Sequence, residues 1–258
     1  MNAASIIWSK QMGKFARNGQ ESIGALIQPV LWVVMFGVGM RSLLEPSMGD
    51  GDTYVSFMLP GIIALTVLSG ATGGGMGWLL ERVQGIVKEY VVAPIARISI
   101  LLGNAASIIT KALIQSAIIL VVGVLVGATV SGGVTDWLGS LVLVLLFGIG
   151  FSGIALAAGS STDDIGAYHM IIALLQLPML FMSNALYPLD ALPTWLAWVA
   201  RFNPASYLVD GLRQTILTDA LSMAGSDVLP LWACFAVCAA FAASGMLLAL
   251  GVFRKSLA

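Results

Sequence analysis

Charged side chains that could pair with another protein are concentrated in one stretch of the sequence, LLERVQGIVKEYVVAPIARISILLG, which runs from Leu79 to Gly103. The stretch lies between two long apolar runs. Carboxylates and cations on a short exposed segment can pair with complementary charges of a partner. Loops on the inner side of a membrane are also basic, which leaves simple solvation as the alternative. The charged residues are Glu81, Arg82, Lys88, Glu89 and Arg97.

A nucleophilic serine is a second candidate for chemistry. Gly150-Phe151-Ser152-Gly153 has the G-x-S-G pattern of the rhomboid intramembrane serine proteases. A serine nucleophile needs a base within hydrogen-bonding reach, and His169 is the single histidine of the chain. Small residues are also typical of closely packed membrane helices, so the pattern has a purely structural alternative. Replacing Ser152 by alanine would separate the two, because it abolishes cleavage only in a protease.

Neither an ATP site nor a metal site is predicted within the chain. A P-loop needs G-x-x-x-x-G-K-[ST] to hold phosphate, whereas the single Gly-Lys pair, Gly13-Lys14, is followed by phenylalanine. Asp163, Asp164 and His169 carry groups that can bind metals. Their spacing matches no established ligand pattern, so we expect a solvated turn there.

The composition is that of a membrane protein. Of the 258 residues, 59% are hydrophobic and 10% charged, against about 25% charged residues in soluble domains. Burial cannot explain so few charges in a chain of this size, whereas a lipid environment removes the need for a polar surface. The net charge of -1 gives no electrostatic reason to expect nucleic acid as a partner.

Six apolar stretches are long enough to cross a bilayer, which takes about 20 residues in a helix. We therefore expect an all-α integral membrane protein with six transmembrane helices. The third stretch is too long for one crossing, so its first turns would project into the cytoplasm or the helix would tilt. The predicted spans are Ile23–Met40, Val55–Leu80, Ile98–Val130, Trp137–Thr162, Met170–Leu189 and Val228–Phe253.

Lysine and arginine are distributed unevenly between the predicted loops. With the N-terminus inside, eight of them flank the spans on the inner side and three, Arg41, Arg201 and Arg213, lie outside. Basic loops stay in the cytoplasm, so both termini are predicted to be cytoplasmic. Residues 1–21 carry apolar and basic side chains at near-helical spacing. They predict an amphipathic interfacial helix on the inner membrane surface, with a solvated leader helix as the alternative.

Polar side chains inside the predicted spans are candidates for a pathway through the membrane. A lysine in a span is costly unless it reaches the interface or faces a cavity, and both interpretations stay open for Lys111. The candidate pathway residues are Lys111, Gln115, Gln176 and Asn184.

A long segment outside the spans, which includes residues 190–219, has two short helical patterns. Its first half carries an apolar stripe that includes Trp195 and Trp198. Asn203 then precedes Pro204, which is typical of a helix N-terminus because Asn caps the first turn and Pro lacks the N–H. We expect two short helices that either dip into the membrane or lie flat on its outer surface.

Two ordered sets of residues match a known pattern. The first set has an acidic-basic pair, a glycine, a second charged pair, a proline, an arginine and Leu-Leu-Gly. The second has a proline after an aromatic residue, Leu-Pro, a Trp-containing helix, Asn-Pro, a tyrosine, and Asp with Arg three residues later. The matching residues are Glu81-Arg82, Gly85, Lys88-Glu89, Ala93-Pro94, Arg97, Leu101-Leu102-Gly103, Tyr187-Pro188, Leu192-Pro193, Trp195, Asn203-Pro204, Tyr207, Asp210 and Arg213. Together they resemble the permeases of ATP-binding-cassette (ABC) exporters of the second type; Asn104 departs from that family, which often has Lys there.

This resemblance implies a single transmembrane permease domain over residues 1–258. Residues 81–97 would form a cytoplasmic coupling helix docked in a groove of a separate ATPase subunit, which binds ATP and Mg. Residues 190–219 would form re-entrant helices of an outer gate. The implied coupling residues are Glu81, Arg82, Gly85, Lys88, Glu89, Pro94 and Arg97, and the implied gate residues are Pro188, Pro193, Asn203, Pro204, Asp210 and Arg213.

Charge pairing with the ATPase follows from the same resemblance. Arg82 and Lys88 are expected to meet acidic groups of the ATPase, and Glu81 and Glu89 basic ones. A second permease copy, identical or different, would complete the pathway in the plasma (inner) membrane of a prokaryote.

The implied function is export of a hydrophobic or lipid-like substrate: a drug, a lipid or a lipid-linked glycan. Glycan exporters of this family tend to line a wide path with aromatic residues, which make up 9% of this chain. A small hydrophobic or lipid-like cargo is therefore favoured. No cofactor is expected in the chain itself. The alternatives are the serine protease, with Ser152 and His169, and a non-transporting membrane scaffold.

Overall fold

The computed structural model describes residues 3–39, 54–92, 96–185, 194–216 and 229–256, and within these ranges all regular structure is helical. Pro94, Pro188 and Pro193 lie outside the described residues. The helices are α1 Ala3–Arg17, α2 Gly19–Gly39, α3 Tyr54–Val83, α4 Ile86–Val92, α5 Arg97–Val126, α6 Val134–Ser161, α7 Ile165–Phe181, α8 Thr194–Phe202, α9 Pro204–Ile216 and α10 Leu231–Ser256.

Four of the described helices are long and apolar enough to cross a membrane: α3, α5, α6 and α10. The other two predicted spans correspond to shorter apolar helical stretches, Leu26–Met35 within α2 and Ile165–Phe181 in α7. Within the described residues, the prediction of an all-helical membrane protein is thus confirmed, with four of the six predicted spans. The third predicted span ends earlier than expected. Gly127 adopts a φ of 117° and its N–H bonds back to Gly123 and Val124, which closes α5 after Val126.

The core is built around α3. Every residue from Tyr54 to Leu68 is buried, and the helix packs between α5 and α6. On the other side of α6, glycines allow α10 to approach closely. A side chain at Gly150 would collide with Phe241, and one at Gly153 would meet the backbone of Gly245. Close approach at small residues is how helices gain packing energy in lipid, where burial of apolar surface drives little association.

The first helix packs along α5 and not apart from the bundle. Gly103 of α5 has no side chain where Ala4 and Ile7 cross it, and Trp8 Nε1 donates to Thr110 Oγ1 at 3.1 Å. The interfacial segment predicted over residues 1–21 is a helix from Ala3 to Arg17, and α2 already begins at Gly19.

The coupling segment is divided into three parts. The predicted single helix over residues 81–97 is instead the end of α3, a turn, and the seven-residue helix α4. Gly85 makes the turn with a φ of 81°, a conformation that costs little only for glycine. The segment predicted to lie on the outer side contains two short helices, α8 and α9. Asn203 caps α9 as predicted, with Oδ1 accepting from Ala205 N at 3.0 Å.

Candidate functional site

A buried carboxylate joins four helices, α1, α3, α4 and α5, on the side of the bundle that the sequence predicts to be cytoplasmic. Glu81, near the end of α3, is 4% exposed. Its Oε1 accepts from Lys10 Nζ at 3.2 Å and from Gln11 Nε2 at 3.1 Å, both on α1. Tyr90 of α4 donates to its Oε2 at 3.4 Å, while Gln11 also donates to Asn104 Oδ1 of α5 at 3.2 Å. We call Lys10, Gln11, Glu81, Tyr90 and Asn104 the inner network.

Electrostatics favour this arrangement. Removing a carboxylate from water is expensive unless a cation and hydrogen-bond donors replace the solvent, and Glu81 has both. Burial lowers the pKa of Lys10, but its 2.5 Å hydrogen bond with Tyr90 and the charge of Glu81 outweigh that effect, so the pKa lies above its ordinary 10.5. Lys10 is therefore a cation at neutral pH, as the pairing requires.

Arg82 ties α3 to the end of α6. Its Nη2 lies 2.9 Å from Asp163 Oδ1. Its Nη1 donates to the carbonyl of Gly159 at 3.2 Å and also to that of Ser160. The last carbonyls of a helix have no partner within it, so this guanidinium completes the C-terminus of α6. Trp78 reinforces the contact by donating to Ser160 Oγ at 2.8 Å.

The structure therefore differs from the expectation that Glu81 and Arg82 pair directly with another protein. Both are bonded within the chain, Glu81 because it is enclosed by α1 and α4. Glu89, by contrast, is exposed on α4. Lys88 also lies in α4, and Arg97 begins α5. Tyr90 attaches α4 to Lys10 of α1 and Glu81 of α3, while Glu89 lies on the exposed surface of α4.

A second charged cluster lies at the opposite end of α3. Arg213 of α9 is 1% exposed, and its Nη1 lies 3.5 Å from Asp210 Oδ1. Its Nη2 donates to the carbonyls of Phe57 at 3.1 Å and Asn184 at 2.7 Å. The guanidinium also stands 4.0 Å from the centre of the Phe57 ring, a cation–π contact. We call Phe57, Asn184, Asp210 and Arg213 the outer cluster.

Asp210 extends the outer cluster to the residues that precede α10. Its Oδ2 accepts from Leu229 N at 3.3 Å, and Asn184 Nδ2 donates to its Oδ1. Gln214 adds a bond to the Leu229 carbonyl at 2.7 Å. At the start of α9, Asn203 Nδ2 donates to carbonyls at the end of α7, at 2.8 and 3.1 Å. The helix α9 is thus bonded to three neighbouring segments.

The sequence identified only part of this cluster. Asp210 and Arg213 were expected together, and they do pair. Asn184 was expected to line a pathway, but its side chain bonds Asp210 in the outer cluster. Phe57 was missed because its contribution is a backbone carbonyl and a ring face, which no pattern along the chain reveals.

The geometry agrees with comparison to known proteins. A sequence model of the family described as ABC-2 type transporter matches residues 2–217 of this chain. The chain belongs to the ABC-2 type transporter family.

Among the similar proteins, two are named transport permeases and a third is named a nodulation protein. The transport permease ycf38 of Porphyra purpurea is 30% identical over 192 residues, which are 74% of this chain and 66% of the relative. Nodulation protein J of Rhizobium leguminosarum bv. viciae is 25% identical, over 82% of this chain and 81% of its own length. The inner membrane transport permease YadH of Escherichia coli K12 is 24% identical, over 93% and 90%. The chain spans slightly less than two thirds of the length of ycf38.

The remaining pathway candidates of this ABC-2 family chain are not brought into one site. Gln176 of α7 bonds Thr72 Oγ1 at 3.3 Å on α3, and Gln115 is buried against Gly70. Lys111 Nζ lies 5.3 Å from the centre of the Phe15 ring on α1. Since α1 is the helix expected at the inner interface, this contact favours the interpretation that Lys111 reaches toward that interface.

The described geometry does not support the protease alternative. Ser152 is fully buried, and its hydroxyl donates to the Ile149 carbonyl of its own helix at 2.9 Å. His169 lies on an exposed part of α7, and within the described residues no hydrogen bond joins it to Ser152. A buried serine without a base cannot act as a nucleophile.

The acidic residues near His169 have partners within the chain. Asp163 pairs with Arg82. Asp164 caps α7 by accepting from Ala167 N at 2.9 Å, which favours the helix start. In the described part of the chain no three residues of types His, Cys, Asp or Glu come together as ligands would.

Proposed function

We propose that this chain is the transmembrane subunit of an ATP-driven exporter. Its family membership and the permease names of its relatives support a role in transport. The sequence has no P-loop, so the energy would come from a separate ATPase subunit that binds ATP and Mg. A second permease copy would complete the pathway.

The inner network is the observation that carries this proposal. An external ATPase can move the membrane helices only if the segment it touches is connected to them. Tyr90 connects α4 to the Glu81 carboxylate at the end of α3 and to Lys10 of α1. A displacement of α4 would therefore be transmitted to two other helices through short polar contacts. Glu89, exposed on α4, is the residue we assign to contact with the ATPase.

The topology we propose has six spans, with α2 and α7 added to the four long helices. Both are apolar, and α2 extends over 21 residues. The uneven distribution of lysine and arginine supports a cytoplasmic location of both termini and of α4. The helix α1 would lie at the inner interface, where Lys111 can reach water.

The outer helices α8 and α9 would be re-entrant and form the gate. Non-helical backbone at membrane depth needs protein partners for its polar groups. The bonds of Asn203 to the end of α7 supply such partners. The outer cluster would hold the gate closed until the rearrangement of α3 separates Phe57 from Arg213.

The proposed cargo is small and hydrophobic or lipid-like. The described helices expose long apolar surfaces, as on α7, where Met170 is 74% and Leu174 72% exposed. Such surfaces suit contact with lipid or with a second copy. A substrate that partitions into the membrane could reach a pathway between two copies without crossing water.

The test is recovery of the ATPase on purification. The tagged chain is isolated from its native membranes in mild detergent, and bound proteins are identified by mass spectrometry. We expect a P-loop ATPase with the parent chain and its loss with Glu89→Arg, because that change reverses the exposed charge on α4. The matched control is Lys255→Glu, which reverses an exposed charge at the end of α10, and it should retain the ATPase.

The outcomes separate the candidate functions. Retention of the ATPase by Glu89→Arg would mean that α4 is not the contact. Absence of any ATPase from the parent chain would overturn the exporter proposal and favour the non-transporting scaffold. ATP-dependent efflux by the reconstituted complex, lost in Glu89→Arg and retained in Lys255→Glu, would complete the test.

A further inference from the structure

An apolar cavity of about 370 Å³ lies between α3, α5, α6 and α9. This volume is in the range of about 300–1,000 Å³ that is usual for small-molecule sites. Hydrocarbon side chains such as Ile63, Leu120, Val144 and Leu212 form its walls. Leu138, also in the lining, is 57% exposed on the apolar surface of α6. The cavity therefore opens toward the bilayer, and a ligand would enter it from lipid.

Two hydroxyl groups interrupt the apolar lining. Ser140 Oγ donates to the Trp137 carbonyl at 2.8 Å, which leaves its lone pairs able to accept. Ser116 is 7% exposed; its Oγ is enclosed by packing and, in the described part of the chain, has no hydrogen-bond partner. Rotation about χ1 breaks no hydrogen bond of this hydroxyl and would turn it toward the cavity that Ser116 lines. A buried hydroxyl without a partner is destabilising. A ligand that supplies a hydrogen-bonding group would remove that penalty.

We propose that this cavity binds a small apolar molecule that carries one hydroxyl group, of the type of a medium-chain alcohol. The walls receive the hydrocarbon part, and Ser116, after rotation of its side chain about χ1, bonds the hydroxyl. This site is separate from the inner network and the outer cluster.

The depth of Ser116 is the reason for choosing this ligand over a phospholipid chain. Ser116 lies ten residues before Val126, the nearer end of α5, which is about 15 Å along a helix. That is half of a hydrocarbon core of about 30 Å. The ester groups of a phospholipid stay at the interface and cannot reach this depth, and its acyl chain has no polar atom to offer.

Binding would also affect α9. Leu212 and Ile216 of that helix line the cavity, and Arg213 beside them belongs to the outer cluster. A bound molecule would fill the space between α9 and α6 and stabilise their packing. The binding step itself does not depend on the proposed export function.

The experiment uses two photoreactive probes on the full chain in phosphatidylcholine vesicles. One is octanol with a diazirine group, and the other is the corresponding octane without the hydroxyl. Labelled peptides are located by mass spectrometry. We expect saturable labelling in α5 and α6 at the cavity. The alcohol should reach half-saturation at a concentration about threefold to tenfold lower, as one net hydrogen bond provides.

Three variants make the test specific. Ala117→Phe places a ring in the cavity lining and should abolish saturable labelling. Ser116→Ala should keep labelling but remove the difference between the probes. Ala240→Phe introduces the same ring on an exposed part of α10 and should label like the parent. All three must elute as the parent does in size-exclusion chromatography and unfold at the same temperature within about 4 °C.

Specific results would overturn the proposal. Labelling that does not saturate and spreads over all lipid-facing helices would mean that no site exists. Equal half-saturation of the two probes in the parent would mean that hydrocarbon alone, such as a lipid chain, is the occupant. Unchanged labelling in Ala117→Phe would exclude this cavity. None of these readouts requires an ATPase, so failure here and failure of the exporter proposal are distinguishable.

Discussion

The two charged clusters of this chain differ in how much water reaches them. In the inner network the Glu81 side chain is 5% exposed but that of its partner Lys10 is 44% exposed. In the outer cluster Asp210 and Arg213 are 2% and 1% exposed. A half-open pair can exchange its partner for water at small cost, whereas separating a fully buried pair leaves two charges without compensation. The inner cluster can therefore rearrange readily, and the outer one holds its helix firmly.

This difference corresponds to the proposed roles. A segment that receives motion from another protein has to shift without unfolding, and α4 is attached by contacts that water can replace. A gate has to stay closed until it is driven open, and α9 is attached through a pair that is expensive to separate. The difference predicts that substitutions in the outer cluster cost more stability than substitutions in the inner network.

Loss of the outer cation should be the most damaging change. Arg213→Met leaves Asp210 buried beside Leu229 and Asn184 without a counter-charge, and we expect the free energy of unfolding to fall by about 3–5 kcal/mol. Denaturant titration in detergent micelles measures it. The double variant Asp210→Asn/Arg213→Met removes both charges and should recover much of the loss. A double variant as unstable as the single one would show that charge is not the reason.

Loss of the Glu81 charge should lower the free energy of unfolding by less than loss of the Arg213 charge. Glu81→Gln keeps the size of the side chain but weakens three hydrogen bonds at a buried position, so we expect a loss of about 1–3 kcal/mol in the same titration. Glu89→Gln, at an exposed position on the neighbouring helix, is the control and should change stability by less than about 0.5 kcal/mol. Equal effects of the two substitutions would contradict the burial of Glu81.

Loss of the inner cation should have a small effect. Lys10→Met leaves Glu81 with Gln11 and Tyr90 as donors. Because the Lys10 side chain is 44% exposed, water at that position can solvate the remaining charge, so we expect a loss of about 0.2–1 kcal/mol. Thermal unfolding followed by tryptophan fluorescence is sensitive enough to rank it against Arg213→Met. A loss as large as that of Arg213→Met would mean that water cannot reach Glu81, and the contrast between the clusters would disappear.

The interaction energies of the two ion pairs should also differ in how they depend on salt concentration. This is the smallest of the expected effects, but it reports directly on the access of solvent to each pair. At 1 M salt the screening length falls to about 3 Å, which weakens exposed pairs more than buried ones. The interaction energy of Lys10 with Glu81, from a double-mutant cycle, should decrease between low and high salt. The corresponding energy of Asp210 with Arg213 should stay the same. A decrease for both pairs would indicate that solvent enters the outer cluster.

Some features could be predicted from the sequence because they are encoded locally. Long apolar runs require a lipid environment, and four of the six predicted spans meet that criterion in the described residues. The N-terminal cap of α9 could be predicted because Asn203 bonds a backbone group only two residues away in the sequence. Family membership also came from residues in a fixed order.

Other features could not be predicted because they join distant parts of the chain. Lys10 and Glu81 are separated by 71 positions, and Arg213 and Phe57 by 156. Membrane helices are apolar on all faces, so periodicity does not show which face is buried, as it would in a soluble protein. The same limit applied to Ser152, whose pattern fitted both a protease and a packing contact.

The sequence alone indicates that this chain spans a membrane and to which family it belongs, and it locates the ends of the four long helices to within about four residues. It did not locate the division of the coupling segment or the end of α7. Only the tertiary structure decided which charges face outward and which are bonded inside. The physical reason is that hydropathy and capping depend on neighbours along the chain. The partner of a buried charge, by contrast, depends on how each helix is rotated against the next. That rotation enclosed Glu81 and Arg213, and it left Glu89 on the surface.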